Sequence, residues 1–288
     1  PYSPLVRRHE IVYLPSATTL AALKHFSENQ QPNPLLAVFF VDPVFDVSDC
    51  RVTEARSGKP DPSCRGLGNK GAEGKPRSRN LVPGSPVLRL PATEDEARIL
   101  VDLHVPKELY RSLAGFDVDR KNVMDSLRNG KYRLVHFGTH ASIDPAHPEN
   151  SEILLSQFDA QGARVSDGIL NIDDIYRMRL PLELVTLSAC KTSVGGVLPG
   201  EGVVSLARAF TAAGSKRVVS SLWEIPDDAT ANLLRQFYRY LLGPRHLAPG
   251  AALRQAQIDM ANGKTREWRA PYFWAGFTLQ GDWGPNHF

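Results

Sequence analysis

Short apolar segments alternate with amphipathic ones along most of this sequence. Every position of Leu35–Val41 (LLAVFFV) is apolar, and apolar residues dominate 132–138, 184–187 and 217–222. A continuous apolar run is typical of a strand buried on both faces, as in a parallel sheet between two layers of helices. The alternation predicts an α/β fold: a doubly wound, mostly parallel sheet flanked by helices. Apolar residues at helical spacing follow at 93–104, 119–129, 202–213, 227–242 and 251–262.

Weaker patterns predict four more elements. Short strands are expected at 11–14 and 272–279, and helices at 16–26 and 171–178. Ser16 is suited to cap the first of these helices. We treat 1–288 as one domain.

The segment 51–86 is rich in Gly, Pro, Ser and basic residues and poor in apolar ones. It buries too little to offset chain entropy, so we predict a flexible loop. Its GxGxxG match at 66–71 has no strand before it and no helix after it, which is the context that a phosphate-binding turn requires. A solvated basic loop is the favoured interpretation, and an exposed cleavage site is the other.

Charge and cysteine usage narrow the class of protein. The net charge of +3 arises largely in the basic loop, so we expect no direct nucleic-acid binding. Cys50, Cys64 and Cys190 form no CxxC pair, which argues against a zinc cage or a disulfide framework and favours a reducing, cytoplasmic location. No apolar run is long enough to span a membrane. The start at Pro1, rather than at Met, favours a piece of a longer polypeptide.

Two predicted strands end in residues that can carry chemistry. The strand 184–187 leads into Ser188-Ala189-Cys190, and the strand 132–138 leads to His140. Because active sites of parallel sheets lie beyond the carboxyl ends of the strands, these side chains could form a thiol–imidazole dyad. Lys191 would lower the pKa of the thiol if it stays close. The alternatives are a buried structural cysteine and a histidine satisfied by loop hydrogen bonds.

A metal site is an alternative to the dyad. His136, His140, Asp144 and His147 are close in sequence, and all can bind zinc. His136 lies inside the apolar strand, and the four residues form no compact ligand motif. We therefore expect neither a metal nor another cofactor.

Other residues could serve the same site. An oxyanion would need backbone N–H donors, for which the amides of Cys190, Gly138 and Ala141 are candidates. Asp227 and Asp228 begin a helix, where capping is their ordinary role, but either could bind a basic P1 side chain. Their side chains, with that of Glu201, are the candidate substrate contacts.

Taken together, the segments resemble a family. The motifs VHFGTHA, LVTLSACKTSVGG, GEGVVSLARAF, VVSSLWEIPDDAT and YFWAGFTLQG occur in the order found in CHAT domains, which are caspase- and separase-related cysteine peptidases often found beside tetratricopeptide repeats. IVYLPSATTL, VDP and RLPATEDEA resemble the earlier motifs, so the similarity runs from about residue 9 to 283. It implies that His140 and Cys190 are the catalytic residues and that Asp227 corresponds to a substrate-pocket aspartate of separase-like relatives.

The sequence departs from the family at two positions. Ala141 stands where members commonly have Gly, and Lys191 where they commonly have Glu. The caspase pattern around the cysteine is also absent, so specificity for Asp at P1 is not supported. The resemblance implies an endopeptidase that cleaves protein substrates, with a basic P1 preference, under the control of a helical-repeat region or partner. Because no apolar run is long enough to span a bilayer, we expect no membrane partner. The alternative is a catalytically silent binding or signalling module.

Overall fold

The computed structural model describes residues 4–14, 16–18, 21, 24, 32–65, 87–142, 147–188 and 201–288. Of these, the side chains of 63, 65, 148 and 201–205 are not described. A seven-stranded sheet runs through the centre of the molecule in the order β1-β10-β9-β8-β4-β2-β3. The strands are Val12–Tyr13 (β1), Leu35–Val41 (β2), Tyr110–Ala114 (β3), Tyr132–Gly138 (β4), Leu184–Leu187 (β8), Arg217–Ser221 (β9) and Phe277–Gly281 (β10).

Most of this sheet is parallel. Strands β3, β2, β4, β8 and β9 run in one direction, β10 is antiparallel to β9, and β1 is parallel to β10. The helices among the described residues are Cys50–Ser57 (α1), Pro62–Arg65 (α2), Thr93–Asp102 (α3), Arg120–Asn129 (α4), Ile172–Tyr176 (α5), Glu201–Ala212 (α6), Asp227–Leu242 (α7) and Pro249–Ala261 (α8). Short 3-10 turns lie at Leu5–Arg7, Lys107–Leu109, Gly115–Asp117, Pro148–Asn150, Glu267–Arg269 and Pro271–Phe273.

Helices cover both faces of the sheet. Phe40 and Phe137 point into a core shared with α4, α5 and α6, whereas Phe39 and Leu134 point into a core shared with α3, α7 and α8. Alternate residues of each strand therefore enter opposite apolar layers, which is why β2 is apolar at every position. The predicted doubly wound, mostly parallel α/β fold is confirmed. None of the helices in the described ranges is long and apolar enough to cross a membrane.

A second, smaller sheet follows β4. It is antiparallel and consists of Ala141–Ser142 (β5), Glu152–Leu154 (β6) and Ile169–Asn171 (β7). Its buried residues Ile153 and Leu170 join the core on the α4–α6 face. This sheet was not predicted from the sequence.

Several predicted elements agree with the structure and others do not. The strands at β2 and β4 and the helix α7 begin and end where the sequence predicts. The last strand is shorter than the predicted 272–279, because Pro271–Phe273 is a 3-10 turn and the strand begins only at Phe277. Edge strand β3 was not predicted. The predicted helix at 16–26 lies mostly outside the described residues.

The prediction of a flexible loop at 51–86 is wrong for its first part. Helix α1 begins after Asp49, whose side chain accepts a hydrogen bond from the backbone N–H of Arg51, and it buries Val52. Helix α2 follows, and a disulfide joins Cys50 to Cys64 across 14 positions. The expectation of unpaired cysteines is therefore also wrong, and the inference of a reducing compartment loses that support. Residues 66–86 lie outside the described part of the chain.

The carboxyl end of β2 carries a buried ion cluster. The Asp42 side chain is fully buried, and its Oδ2 lies 3.0 Å from Arg51 Nη1 and 2.7 Å from Arg89 Nη2. Burial raises the pKa of Asp42 to about 6, although both guanidinium groups act in the opposite direction. Arg89 also places Nη1 3.6 Å from the sulfur of Cys50. The cluster thus connects α1, the disulfide and the segment that leads into α3.

We expect the disulfide to stabilise the folded chain. Replacing Cys64 by Ser should lower the free energy of unfolding by about 3 kcal/mol in non-reducing buffer, because closing a loop of this length restricts the unfolded chain. Chemical denaturation measures the change. Wild-type protein treated with a reductant is the matched control and should unfold at the same denaturant concentration as Cys64→Ser. Equal midpoints for oxidised and reduced wild type would contradict the prediction.

The carboxyl of Asp42 should give a distinct pH dependence of stability. Its pKa is about 6 in the folded chain and 3.8 in the reference state, so between these pH values the folded state binds the additional proton. The stability that Asp42 contributes is therefore complete below about pH 4 and is lost as the pH rises through 6. Unfolding of wild type and Asp42→Asn from pH 4 to 8 measures this. The wild type should lose on the order of 2–3 kcal/mol relative to the variant across that range, and parallel curves would contradict it.

Candidate active site

His140 lies just beyond the carboxyl end of β4 and is almost completely buried, with 5% of its surface exposed. Its Nε2 is 2.8 Å from the backbone oxygen of Leu88, and its ring centroid is 4.9 Å from that of Phe45. A carbonyl can only accept, so Nε2–H donates to it. In the neutral ring the lone pair is then on Nδ1, the nitrogen that can act as a base.

The backbone around His140 is held by the small sheet. The His140 oxygen accepts a hydrogen bond of 2.8 Å from the Leu154 N–H, and the Thr139 hydroxyl donates to the Leu154 oxygen at 2.5 Å. Strand β5 begins at the next residue, Ala141, which pairs with Ile153. His140 is therefore fixed through both its ring and its backbone, and its orientation does not depend on a substrate.

The cysteine-bearing strand is the immediate neighbour of β4. Strands β4 and β8 are parallel, with Phe137 opposite Leu187, and the Ser188 N–H donates to the Phe137 oxygen at 2.9 Å. Ser188 is the last described residue before a gap that includes Cys190 and Lys191. The structure thus places the two strands side by side with their carboxyl ends at one edge of the sheet, while Cys190 itself lies outside the described residues.

The candidate oxyanion donors occupy strand positions. Gly138 ends β4, and its oxygen accepts a hydrogen bond of 3.2 Å from the Asp42 N–H. A Cβ at Gly138 would lie 2.7 Å from the Cβ of Thr93, so only glycine allows α3 to approach this closely. Ala141 is buried in β5. The third candidate, the Cys190 amide, falls in the same gap as its side chain.

The acidic candidates lie at the start of α7. Asp227 is its first residue, and its Oδ2 accepts a hydrogen bond of 3.0 Å from the Ala92 N–H at the start of α3. Asp228 is exposed, and its Oδ1 accepts from the Ala229 N–H at 2.8 Å. The N-cap of α7 is Pro226, so neither aspartate is the capping residue. Glu201 begins α6, and its side chain is outside the described set.

The candidate metal ligands lie in different environments. The ring of His136 is fully buried, with Nε2 2.8 Å from Glu96 Oε2 and Nδ1 2.8 Å from the Tyr238 hydroxyl. His147 is exposed and lies 3.4 Å from Glu149. Asp144 is outside the described ranges. Within those ranges, no group of three or more His, Cys, Asp or Glu residues is arranged to hold a metal ion.

Three residues of this site were not predicted. Leu88 contributes a backbone carbonyl, which any residue could supply, and Phe45 looked like one more apolar residue. The third, Glu96, accepts a hydrogen bond of 2.7 Å from the Ser188 hydroxyl. The signal for Glu96 in the sequence was His136, a polar residue in an otherwise apolar strand, because a buried imidazole requires a polar partner.

This arrangement can support acid–base chemistry at the end of β4. A buried imidazole with one nitrogen bound to a carbonyl has a defined tautomer, as a general base needs. The neighbouring strand delivers the chain to a cysteine two residues after Ser188. Thiol–imidazole chemistry is the reaction class for which these residue types are suited.

Comparison with known proteins identifies relatives in sequence and in fold. Tetratricopeptide repeat protein 28 of Homo sapiens and of Mus musculus is 31% identical over 220 residues, covering 67% of this chain and 8% of each relative. The chain therefore spans less than a tenth of the length of these curated relatives. Among solved structures, the Arg-specific cysteine proteinase gingipain R covers 93% of this chain and 51% of its own, with a TM-score of 0.51 and 11% identity.

A second solved structure is similar in fold. The separase–securin complex of Saccharomyces cerevisiae covers 94% of this chain and 14% of that chain, with a TM-score of 0.50 and 11% identity. At such identities the likeness shows the fold alone, which is caspase-like. The CHAT domain model matches residues 2–282, nearly the whole sequence. This chain belongs to the CHAT domain family, and its fold is caspase-like.

Proposed function

We propose that this chain is a caspase-like cysteine endopeptidase in which Cys190 is the nucleophile and His140 is the general base and acid. One observation carries the proposal. His140 is fixed beyond β4, with Nε2 on the Leu88 carbonyl, beside the strand that leads to Cys190. In the neutral ring with its proton on Nε2, the basic nitrogen is Nδ1, and a thiol beside it would lose its proton to it.

The first chemical step is acylation. Nδ1 of His140 takes the proton of Cys190, and the thiolate attacks the carbonyl carbon of the scissile peptide bond. A carbon–sulfur bond forms, and the carbonyl π electrons move to the oxygen. Backbone N–H groups stabilise this oxyanion, with the amides of Cys190, Gly138 and Ala141 as the candidates. When the tetrahedral intermediate collapses, the C–N bond breaks and the imidazolium gives its proton to the leaving amine.

The second step is hydrolysis of the thioester. Water loses a proton to His140 and attacks the acyl carbon, and the carbon–sulfur bond then breaks. The carboxylic acid product leaves, and the Cys190 sulfur recovers its proton from the imidazolium. The Leu88 carbonyl supports both steps, because it accepts from Nε2–H whether the ring is neutral or charged.

Asp227 is the residue proposed to select a basic P1 side chain. Its carboxylate lies at the start of α7 and accepts from the Ala92 N–H, so its orientation is fixed before substrate binds. A guanidinium group matches a carboxylate in charge and in hydrogen-bond geometry. Asp228, which is exposed, and Glu201 are further candidate contacts for the same side chain.

A helical-repeat region or partner is proposed to control the activity. The curated relatives are tetratricopeptide repeat proteins by name, and the yeast structure is a complex of separase with securin. Neither a direct nucleic-acid contact nor a membrane contact is part of this proposal.

A catalytically silent binding module is the second candidate. Ala141 and Lys191 replace the glycine and glutamate common in the family, and both adjoin the proposed catalytic residues. Ala141 also lies buried in β5, where it pairs with Ile153. A module of this kind would keep the fold and lose the chemistry.

Substitution of either dyad residue should abolish cleavage. Cys190→Ala and His140→Ala should each lower kcat/KM on a peptide library by at least about 1,000-fold, since each removes a group that acts in the bond-breaking step. His246→Asn is the control, because His246 is exposed beyond the opposite end of α7 and should leave kcat/KM unchanged.

Equal activity of the wild type and both dyad variants would contradict the endopeptidase proposal. Labelling of Cys190 by a thiol-reactive probe separates the two candidate functions. Rapid labelling at neutral pH that is lost in His140→Ala supports the dyad. Failure of the wild type to label, with and without candidate activating proteins, supports the silent module.

Asp227→Asn should change specificity at P1. The asparagine can still accept from the Ala92 N–H, so the variant removes the charge and retains the contact. We expect kcat/KM to fall at least tenfold for Arg at P1 and to change less than twofold for a neutral P1 residue. Asp228→Asn is the matched exposed control. An unchanged ratio of the two substrates in Asp227→Asn would exclude the assigned role.

A further inference from the structure

Polar side chains lie in the apolar layer beneath the ends of β4 and β8. Glu96, on α3, is fully buried, and its two oxygens contact different strands. Oε1 accepts from the Ser188 hydroxyl at 2.7 Å, and Oε2 lies 2.8 Å from Nε2 of His136. One carboxylate therefore bridges two neighbouring strands. We call Glu96, His136, Tyr238 and Ser188 the strand-end network.

The opposite side of the His136 ring is also occupied. Its Nδ1 lies 2.8 Å from the hydroxyl of Tyr238 on α7, and Phe39 stacks on the ring at a centroid distance of 4.6 Å. Burial raises the pKa of the Tyr238 phenol well above its ordinary value of 10, and the nearby Glu96 charge adds to this, so the hydroxyl stays protonated. The network thus connects α3, β4 and α7, as well as the end of β8.

A network of this kind is unfavourable in free energy compared with an apolar core. Placing a carboxylate and an imidazole in an apolar layer costs desolvation, and packed apolar residues at the same positions are often as stable or more so. The location of the network points to a role in the candidate site and not in stability. Ser188 is two residues before Cys190, and His136 is four residues before His140. The carboxylate of Glu96 thus contacts both strands that lead to the proposed dyad, β4 at His136 and β8 at the residue that follows it.

We propose that Glu96 is a positioning residue for the reaction, holding the ends of β8 and β4 at a fixed spacing through Ser188 and His136. The inference rests on the proposed function, because it is the Cys190–His140 pair that needs the spacing. Neither Glu96 nor Ser188 touches the substrate in this role. Misplacement of reacting groups by about 1 Å can cost on the order of 100-fold in rate.

Two substitutions test the two contacts of Glu96 separately. Ser188→Ala removes only the contact with the end of β8. Glu96→Gln retains an acceptor for Ser188 but can turn a donor toward His136 Nε2, which disrupts the contact with β4. We expect each to lower kcat by 10- to 100-fold with KM changed less than twofold. Because both act through one carboxylate, the double variant should lose less than the product of the two effects.

A second measurement does not need a substrate. The rate of alkylation of Cys190 by iodoacetamide across pH 5 to 10 reports how well His140 supports the thiolate. In both variants the pH of half-maximal rate should rise toward about 8.5, the ordinary value for cysteine. Ser188→Thr retains the hydroxyl and should restore the wild-type profile.

Ser220→Ala provides the matched control. Ser220 is a fully buried serine on neighbouring strand β9, opposite Leu187, and within the described part of the chain its hydroxyl has no hydrogen-bond partner. It should leave kcat and the alkylation profile unchanged. Thermal unfolding of every variant confirms that each is folded at the assay temperature.

The outcomes distinguish the two proposals. If Ser188→Ala and Glu96→Gln lose stability but keep the wild-type kcat and alkylation profile, the network is structural only. Failure of Ser188→Thr to restore the wild-type alkylation profile would also overturn the positioning role. If Cys190 of the wild type is alkylated at low pH but the protein cleaves no peptide, the endopeptidase proposal alone is overturned. The shift of the alkylation profile in the two variants would then decide the positioning role of Glu96. A wild type with an ordinary cysteine profile would overturn both.

Discussion

The first turn of α3 lies across the carboxyl edge of the sheet, and the geometry of the candidate site depends on this contact. Thr93 Oγ1 accepts from the Asp42 N–H at the end of β2 and covers Gly138 at the end of β4. One turn later, Glu96 contacts β4 and β8, and the Ala92 N–H binds Asp227 at the start of α7. A single helix end therefore fixes the ends of three strands and the start of another helix.

The segment before this helix connects the site to the rest of the molecule. Leu88 supplies the carbonyl that binds His140, and the next residue, Arg89, is held by Asp42 and lies against Cys50. The ring of the proposed base is thus connected, through Leu88 and Arg89, to both a buried carboxylate and a disulfide. This connection between the ion cluster at β2 and His140 runs along the backbone of residues 88 and 89 and lies outside the sheet.

The sequence predicts the parts of this molecule whose signals are local. The bounds of Leu35–Val41 and Asp227–Leu242 were predicted to the residue. A continuous apolar run and apolar residues at helical spacing can be recognised without knowing the tertiary contacts. Strand β3 was missed because Leu113 is its one buried residue. The disulfide was missed because the approach of Cys64 to Cys50 depends on the turn between α1 and α2. Glu96 looked like Glu94 and Asp95, ordinary acids of a first helical turn, and only the packing of α3 on the sheet sets it apart.

The position of β2 has a consequence for the integrity of the chain. Within the described ranges, strands β1 and β2 precede residues 66–86 and the other strands follow them, yet β2 lies between β3 and β4, and β1 pairs with β10. Both cysteines of the disulfide are on the amino-terminal side of that segment. A single backbone break there would yield two polypeptides with no covalent link. They would remain one folded body, interleaved through a shared sheet, and would separate only on denaturation, whether or not a reductant was present.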